Sequence, residues 1–248
     1  MANISVDTVY KTVLSILNKE QRGYLTPYEF NQLATQVQLE IFESYFENLN
    51  QQLRAGENAS EYANRIKLLQ EKIARFEVEQ DITVAVASGL GEGDLTSLTE
   101  TVHRLGTVHS NVQQYLPVEI EQVTKHEFNL VRRSKLTSPS SEWPIYYKEG
   151  NKIKILPGVA TAVGVQTYTV EYVRKPIDPV WNYTLGAVGQ YIFDPVANGV
   201  SKNFEIDDTD QTEVILKILM YAGVIIRDQE IIQAAASKAM AKDQLQAT

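Results

Sequence analysis

The sequence predicts an α+β protein in which a helical bundle, formed by both ends of the chain, carries an inserted β-rich region. Apolar residues recur at three- and four-residue steps near both termini, the spacing of helices packed on one face. Between them the apolar period changes to two, and turn-forming residues become frequent. We therefore expect a helical body from residues 1–80 and 208–248, and a β-rich region with one short helix from 81–207.

The first predicted helix spans residues 6–18 and presents one apolar face. A connector containing Gly23 leads to Thr26-Pro27-Tyr28-Glu29. Thr26 is suited to cap a second helix, Pro27 fits its first position, and Glu29 completes a capping box. The apolar faces of these two helices comprise Val9, Tyr10, Val13, Leu14 and Leu17, then Phe30, Ala34, Val37, Ile41, Tyr45 and Leu49.

A third helix follows Arg54-Ala-Gly-Glu-Asn, and its apolar positions form a near-heptad series. Most of its other positions are charged or polar. Because the connection is short, we expect the second and third helices to form an antiparallel hairpin. The series consists of Tyr62, Ile66, Leu69, Ile73 and Phe76.

Alternation of Ile82, Val84 and Val86 indicates the first strand of the inserted region. The glycine-rich segment 89–94 is interpreted as a loop. Strands are predicted over 102–108 and 118–123, followed by a short helix that Thr124 caps, with Glu127 at the capping-box position.

The clearest hairpin joins residues 145–149 to 152–156 through Gly150-Asn151. That register places Glu149 opposite Lys152, a favourable cross-strand charge pair. A long strand is predicted over 165–173. Short strands near 181–184, 190–193 and 204–206 are expected to continue the same sheet.

Asp207, Asp208 and Asp210 crowd a helix start, where negative charge is favoured. The broad apolar face of this helix predicts deep burial. Asp228 is suited to cap a final helix with a thin stripe of mostly small side chains, which we interpret as a helix that docks on a partner chain. The two faces comprise Val214, Ile215, Ile218, Leu219, Ala222 and Ile225, then Ile232, Ala235, Ala236, Ala239 and Met240.

The formal net charge of −8 argues against sequence-specific recognition of nucleic acid. The densest basic cluster, Arg132-Arg133-Ser134-Lys135, is interpreted as a solvated helix end. No signal peptide is visible at the N-terminus, and apolar runs are far shorter than the ~20 residues of a membrane-spanning helix. We expect a cytosolic product, or one that ends in a particle assembled in the cytosol.

Catalytic, cofactor and metal sites are not expected. Without cysteine, the chain has no thiolate nucleophile, disulfide or Cys-based zinc site. Gly89, Gly91 and Gly93 lack the Lys-Ser/Thr of a phosphate loop, and no Gly-x-Ser-x-Gly elbow occurs. The three aspartates around 208 lack the Gly and Glu of an EF-hand loop. His103, His109 and His126, the three histidines, show no ligand spacing.

Thirteen tyrosines against seven phenylalanines are the compositional oddity. Tyrosine combines a large contact area with a polar tip and is enriched at protein interfaces. Half-buried positions on helices and sheets explain the excess equally well.

Three stretches together resemble a known family. They are Asn18-Lys-Glu-Gln-Arg-Gly-Tyr-Leu-Thr-Pro-Tyr-Glu-Phe-Asn-Gln-Leu-Ala with Gln38-Leu-Glu-Ile-Phe-Glu-Ser-Tyr-Phe; Pro144-Ile-Tyr-Tyr-Lys-Glu-Gly-Asn-Lys-Ile-Lys-Ile with Tyr172-Val-Arg-Lys-Pro-Ile-Asp-Pro-Val-Trp; and the segment from Val214 to Ala235. The series resembles ring or adaptor proteins at the head–tail junction of short-tailed, crAss-like bacteriophages. The likeness covers most of the chain and is weakest over 82–117.

This resemblance implies a virion structural protein without enzymatic activity, located in the neck of the particle and assembled in the host cytoplasm. It implies a homo-oligomeric ring, with twelve copies, between the portal protein and the next tail or ring protein. DNA would pass through its centre without sequence-specific binding. Two alternatives stay open: an assembly factor or chaperone absent from the finished particle, and an enzyme with an unrecognised site.

Overall fold

A computed structural model describes residues 3–19, 24–55, 60–87, 89–110, 118–158, 165–196 and 199–225, and the single positions 233, 237 and 240. The chain divides into two compact units. The first consists of residues 1–73 and 176–248, and the second of residues 74–175. Segment 176–207, expected in the β-rich insertion, therefore belongs to the unit that holds the terminal helices.

Five α-helices and ten strands occur in the described residues. The helices are α1 (Val6–Lys19), α2 (Pro27–Ala55), α3 (Ser60–Ala74), α4 (Lys125–Arg133) and α5 (Gln211–Ile225). The strands are β1 (Glu77–Ala87), β2 (Leu90–Asp94), β3 (Val102–Ser110), β4 (Val118–Glu119), β5 (Glu121–Gln122), β6 (Ile145–Glu149), β7 (Lys152–Leu156), β8 (Val165–Arg174), β9 (Tyr183–Leu185) and β10 (Tyr191–Phe193).

Helix α2 begins with the predicted capping box. The Thr26 N–H donates to Glu29 Oε2 at 2.9 Å, and the Glu29 N–H donates to Thr26 Oγ1 at 3.3 Å. From Phe30 to Tyr45 the predicted stripe is fully buried, whereas Leu49 is only half-buried. These reciprocal bonds satisfy backbone groups that a helix start leaves unpaired, which confirms the predicted start of α2.

The apolar face of α2 packs on α5, and α1 packs on α5 as well. Val214, Ile218 and Ala222 of α5 are completely buried. Helix α3 differs: Ile66 and Leu69 are half-buried, and Leu68 is 56% exposed. The expected α2–α3 hairpin is therefore not the main packing of α2, because a stripe shows which face is buried but not which partner covers it.

Strands β9 and β10 form a separate two-stranded sheet, with Tyr191 opposite Leu185 and Phe193 opposite Tyr183. The sequence prediction that they continue the larger sheet is wrong. Residues 204–206 form no strand; Phe204 and Ile206 are buried side chains of an irregular segment, and the Phe204 N–H donates to the Ile4 carbonyl.

The second unit is built around an eight-stranded sheet in the order β4-β3-β8-β1-β2-β7-β6-β5. Its two edge strands, β4 and β5, are neighbours in the chain and flank Ile120. The Ile120 N–H donates to the Val108 carbonyl of β3, and the Glu121 N–H donates to the Pro144 carbonyl beside β6. One short segment therefore bonds to both ends of the sheet, which nearly closes on itself.

Most of the glycine-rich segment 89–94, expected to be a loop, is strand β2 (Leu90–Asp94), and only Gly89 lies in a turn. Gly91 and Gly93 lie in this strand between β1 and β7. A Cβ atom on either glycine would lie 2.9 Å from a methyl group of Val84, too close for a real contact. The missing side chains leave room for Val84, Ile153 and Ile155, all of which are fully buried.

Helix α4 carries the second predicted capping box, in which Thr124 and Glu127 bond each other's backbone N–H. The β6–β7 hairpin has the predicted register, with Glu149 opposite Lys152 and Gly150 at a φ of +61°. The ion pairs differ from the expected one. Lys152 contacts Glu92 at 2.6 Å, while Glu149 binds Lys154 and Lys125.

The predicted fold class, a helical bundle with an inserted β-rich region, is wrong. The described chain is a mixed α/β structure in which strands outnumber α-helices two to one, and its largest element is the nearly closed eight-stranded sheet. The prediction counted β2 as a loop and took the helices as one bundle. Glycines at close-packed strand positions and a largely exposed α3 are the physical reasons for that error.

Candidate interaction surfaces

Strands β9 and β10 with their flanks, residues 179–201, are here called the ribbon. An aromatic cluster attaches it to the helices of its own unit. The centroid of the Trp181 ring lies 4.2 Å from that of Tyr10 in α1 and 5.7 Å from that of Phe193 in β10. Its indole N–H donates to Asp7 Oδ1 at 3.1 Å, and its backbone N–H donates to Asn31 Oδ1 at 2.8 Å. Such an anchor fixes the direction in which the ribbon's other face points.

The exposed side chains of the ribbon are mostly aliphatic and lie on both of its faces, since Leu185 is opposite Tyr191 and Ile192 is opposite Thr184 in the pairing of β9 with β10. Val188, at the tip, is 90% exposed, and further exposed aliphatic residues are Leu185, Ile192, Val196 and Val200. Asp194 is the one charged residue in this 23-residue sequence. Exposed aliphatic side chains with so little charge among them are typical of a site of contact with another molecule. Sequence analysis missed this surface, although the scarcity of charge over 179–201 was a readable signal.

A second exposed surface lies on the other unit, at the end of α4 and the loop that follows; residues 130–143 are called the α4 surface. Leu136 is 94% and Trp143 78% exposed, and Leu130 is 56% exposed. Arg132, Arg133 and Lys135 are also exposed, and none of the three makes an ion pair with a described residue. The predicted solvated helix end is thus accompanied by large apolar side chains.

The base of the α4 surface is held firmly. Phe128, the buried residue of α4, contacts the Tyr147 ring of β6 at 4.6 Å between centroids. Beyond the helix, the Ser134 hydroxyl accepts hydrogen bonds from the N–H groups of Leu136 and Thr137. The exposed side chains therefore project from an ordered backbone.

A buried polar network joins α2, α3 and the start of α5. Asp210 Oδ2 accepts from the Tyr45 hydroxyl at 2.7 Å and lies 2.6 Å from Lys72 Nζ. Burial, followed by the negative charge of Asp210, raises the pKa of Tyr45 above its usual value. The tyrosine therefore stays protonated and donates its hydrogen bond, so we assign this network to structure and not to chemistry.

Other titratable candidates are dispersed. His109 Nε2 lies 3.5 Å from Glu171 Oε1 on the outer face of β3 and β8, and His126 is exposed in the first turn of α4. A cleft of about 350 Å³ is lined among the described residues by Glu77, Glu79 and Glu171 with Val78, Gly106, Tyr172 and Val173. No group of three or more His, Asp or Glu in the described part of the chain is placed to hold a metal ion.

The predicted partner-docking helix lies almost entirely outside the described residues. Ile232, Ala235, Ala236 and Ala239 are not described; Met240 is described, and its side chain is exposed. Of the three aspartates near α5, Asp207 caps a short 3-10 turn by accepting from the Thr209 N–H, and Asp210 joins the buried network.

Within the described residues, none of the helices combines the length and the apolar character that crossing a bilayer requires. Comparison of the chain with protein-family models gives no match, and comparison with curated proteins gives none either.

Proposed function

We propose that this protein is a structural component of a bacteriophage particle that assembles with copies of itself into a ring at the head–tail junction. In this proposal one face of the ring meets the portal, the opposite face meets the next tail component, and DNA passes through the centre. The ribbon is the observation that carries it: an anchored, apolar, nearly uncharged projection has the chemistry of a protein contact.

The charge distribution supports a conduit for DNA. Residues 1–73 and 176–248 contain 12 basic and 19 acidic residues, whereas residues 74–175 contain 11 and 12. The first unit thus carries a formal charge of −7 out of the total of −8. A channel wall that repels phosphates lets DNA slide, because no counterions are released by contacts that would hold it.

The experiment that tests this function is electron microscopy of the purified protein, combined with mass spectrometry of purified phage particles from the same source. We expect closed rings with a central channel, with twelve copies as the family resemblance implies, and the protein among the particle components. A protein that is required for assembly but absent from finished particles would instead be an assembly factor. A protein found in no phage lysate would overturn the proposal.

A further inference from the structure

We infer that strand β10 of one copy pairs antiparallel with β10 of a second copy, which joins the two ribbons into one four-stranded sheet. The inference goes beyond the proposed ring function, because a twofold contact joins copies in pairs and leaves the lateral contacts of a ring to other surfaces. It starts from the backbone groups at the two outer edges of the ribbon.

The hydrogen bonds of the ribbon show which of its backbone groups point outward. The Gly186 N–H donates to the Gln190 carbonyl at 2.8 Å, so these two residues form a bonded pair. Bonded and non-bonded pairs alternate along an antiparallel ladder, which makes Thr184 and Ile192 the next bonded pair. The residues beside them direct their N–H and C=O groups away from the ribbon. They are Tyr183 and Leu185 on β9, and Tyr191 and Phe193 on β10.

The outer edge on the β9 side is largely occupied by side chains. The Trp181 N–H donates to Asn31 Oδ1 at 2.8 Å, and the Asn31 side-chain amide donates to the Trp181 carbonyl at 3.2 Å. The Tyr183 N–H donates to Asn182 Oδ1 at 3.1 Å. These amides take the hydrogen bonds that an added strand would need, so β9 is a poor place for another strand to pair.

The outer edge of β10 is open. Among the described residues, none bonds to the outward N–H or C=O groups of Tyr191 or Phe193. Strand β10 contains no charged residue, proline or bulge, which commonly protect an exposed edge. Its central residue, Ile192, is 47% exposed. Because a two-stranded sheet is only marginally stable by itself in water, a further strand would stabilise the ribbon.

The spacing of the open groups selects a second copy as the occupant. When two β10 strands pair antiparallel about Ile192, Tyr191 of each copy lies opposite Phe193 of the other. Each of these pairs exchanges both of its N–H···O bonds, so every open group of the two edges is satisfied. The two Ile192 side chains lie directly opposite each other and form an apolar cross-strand pair.

The distribution of charge is compatible with this register. Asp194 is the one charged residue of the ribbon, and the register places it opposite Gln190 of the second copy. Like charges therefore do not meet across the new pair of strands, where they would be unfavourable. A lysine on this edge would instead have repelled its own copy.

A cysteine placed at the centre of the contact provides the first test, because the chain has no cysteine of its own. Directly opposed residues of a non-bonded antiparallel pair have Cα atoms ~4.5 Å apart, within the range that a disulfide spans. Ile192→Cys in the full chain should therefore form a disulfide-linked dimer under mild oxidation, seen on a non-reducing gel. Val188→Cys is the matched control, since Val188 is 90% exposed at the ribbon tip and away from the twofold axis. The Ile192→Cys variant should cross-link at least about ten-fold faster than this control.

A charge swap tests whether residue 192 faces its own copy. Ile192→Lys and Ile192→Glu, each alone, should associate about ten-fold more weakly than the parent in sedimentation velocity, since like charges then lie opposite each other. An equal mixture of the two should recover association, because lysine then faces glutamate. Val188→Lys and Val188→Glu add the same charges at the tip and should associate like the parent. Circular dichroism should show that all variants are folded.

Three results would each overturn the inference. They are a parent protein that stays monomeric at every concentration, equal cross-linking rates of the two cysteine variants, and a mixture of the Lys and Glu variants that associates no better than either alone. Rings that persist in electron micrographs while Ile192→Cys fails to cross-link would overturn the twofold contact and leave the proposed ring standing. Particle composition is measured separately, so the ring proposal can also fail while the β10 contact holds.

Discussion

At the scale of single residues, the two capping boxes are the parts of the structure that local sequence determines most directly. Thr26 with Glu29, and Thr124 with Glu127, make their bonds within four residues, so no distant strand or helix decides them. Both were predicted, and both are present. Gly91 and Gly93 show the opposite case, because their role depends on Val84 and Ile155 from neighbouring strands.

Replacing Thr26 with alanine should destabilise the protein by about 1 kcal/mol, because α2 loses its cap oxygen and half of its capping box. Thermal or urea unfolding of the variant and the parent measures this difference. Thr26→Ser keeps the hydroxyl oxygen and should unfold like the parent. Equal stability of the alanine variant and the parent would show that the bond at the start of α2 contributes nothing.

Glu149 provides a prediction on pH. Hydrogen bonds from Lys125 and Lys154, then their positive charges, lower the pKa of Glu149 to about 2. A carboxyl whose pKa is lower in the folded protein stabilises the fold above its ordinary value near 4.5, and this contribution is lost as pH falls toward 2. NMR titration of Lys125→Ala should show the pKa of Glu149 rising, while that of Glu92, which Lys152 lowers, stays unchanged. An unchanged pKa of Glu149 in this variant would show that Lys125 does not lower it.

At the scale of elements, the buried network around Asp210 ties the end of α3 to α2 and α5. Asp210→Asn should destabilise the first unit by roughly 2 kcal/mol, less than a fully buried pair because the Lys72 side chain is 20% exposed. Lys67→Ala, which removes an exposed pair at 4.0 Å on the same helix, should change stability little. Chemical unfolding compares the two, and similar effects would contradict the structural role of the network.

Strand β2 gives a second prediction for an element. Gly93→Ala should destabilise the sheet by ~1–3 kcal/mol, because the new methyl group meets Val84, Ile82 and Ile153 at 2.9 to 3.2 Å. Val84→Ala creates a cavity by itself but relieves that contact. In a double-mutant cycle measured by urea unfolding, the two changes together should cost less than their sum. Strict additivity would mean that Val84 does not limit the space at Gly93.

Most strands and helices with regular periods were predictable, including the β6–β7 hairpin and its register. The elements that sequence misassigned depend on distant partners. Strand β2 depends on the strands beside it, and β9 and β10 depend on the aromatic cluster around Trp181. Helix α3 was expected to pack along α2, but its Ile66 and Leu69 are only half-buried. Periodicity shows which face is buried, whereas the choice of partner is a property of the assembled fold.

At the scale of the whole molecule, the net charge of −8 predicts weak binding to nucleic acid. We expect duplex DNA to bind no more tightly than ~10⁻⁴–10⁻⁶ M at physiological salt, the range of non-specific binders. Fluorescence anisotropy with two unrelated duplexes measures this, and a basic DNA-binding protein serves as positive control. Sub-micromolar binding that differs between the duplexes would contradict a passive conduit.

The segment around Ile120, which bonds to both ends of the eight-stranded sheet, affects where another chain can add a strand to that sheet. Free strand edges pair with any other free edge, since backbone N–H and C=O groups are the same in every protein. In this sheet residues 118–122 occupy the backbone edge at His109 and Ser110 of β3 and at Ile145 and Tyr146 of β6. At these four positions a second chain can be recognised only through side chains, whose identities distinguish a correct partner from a wrong one.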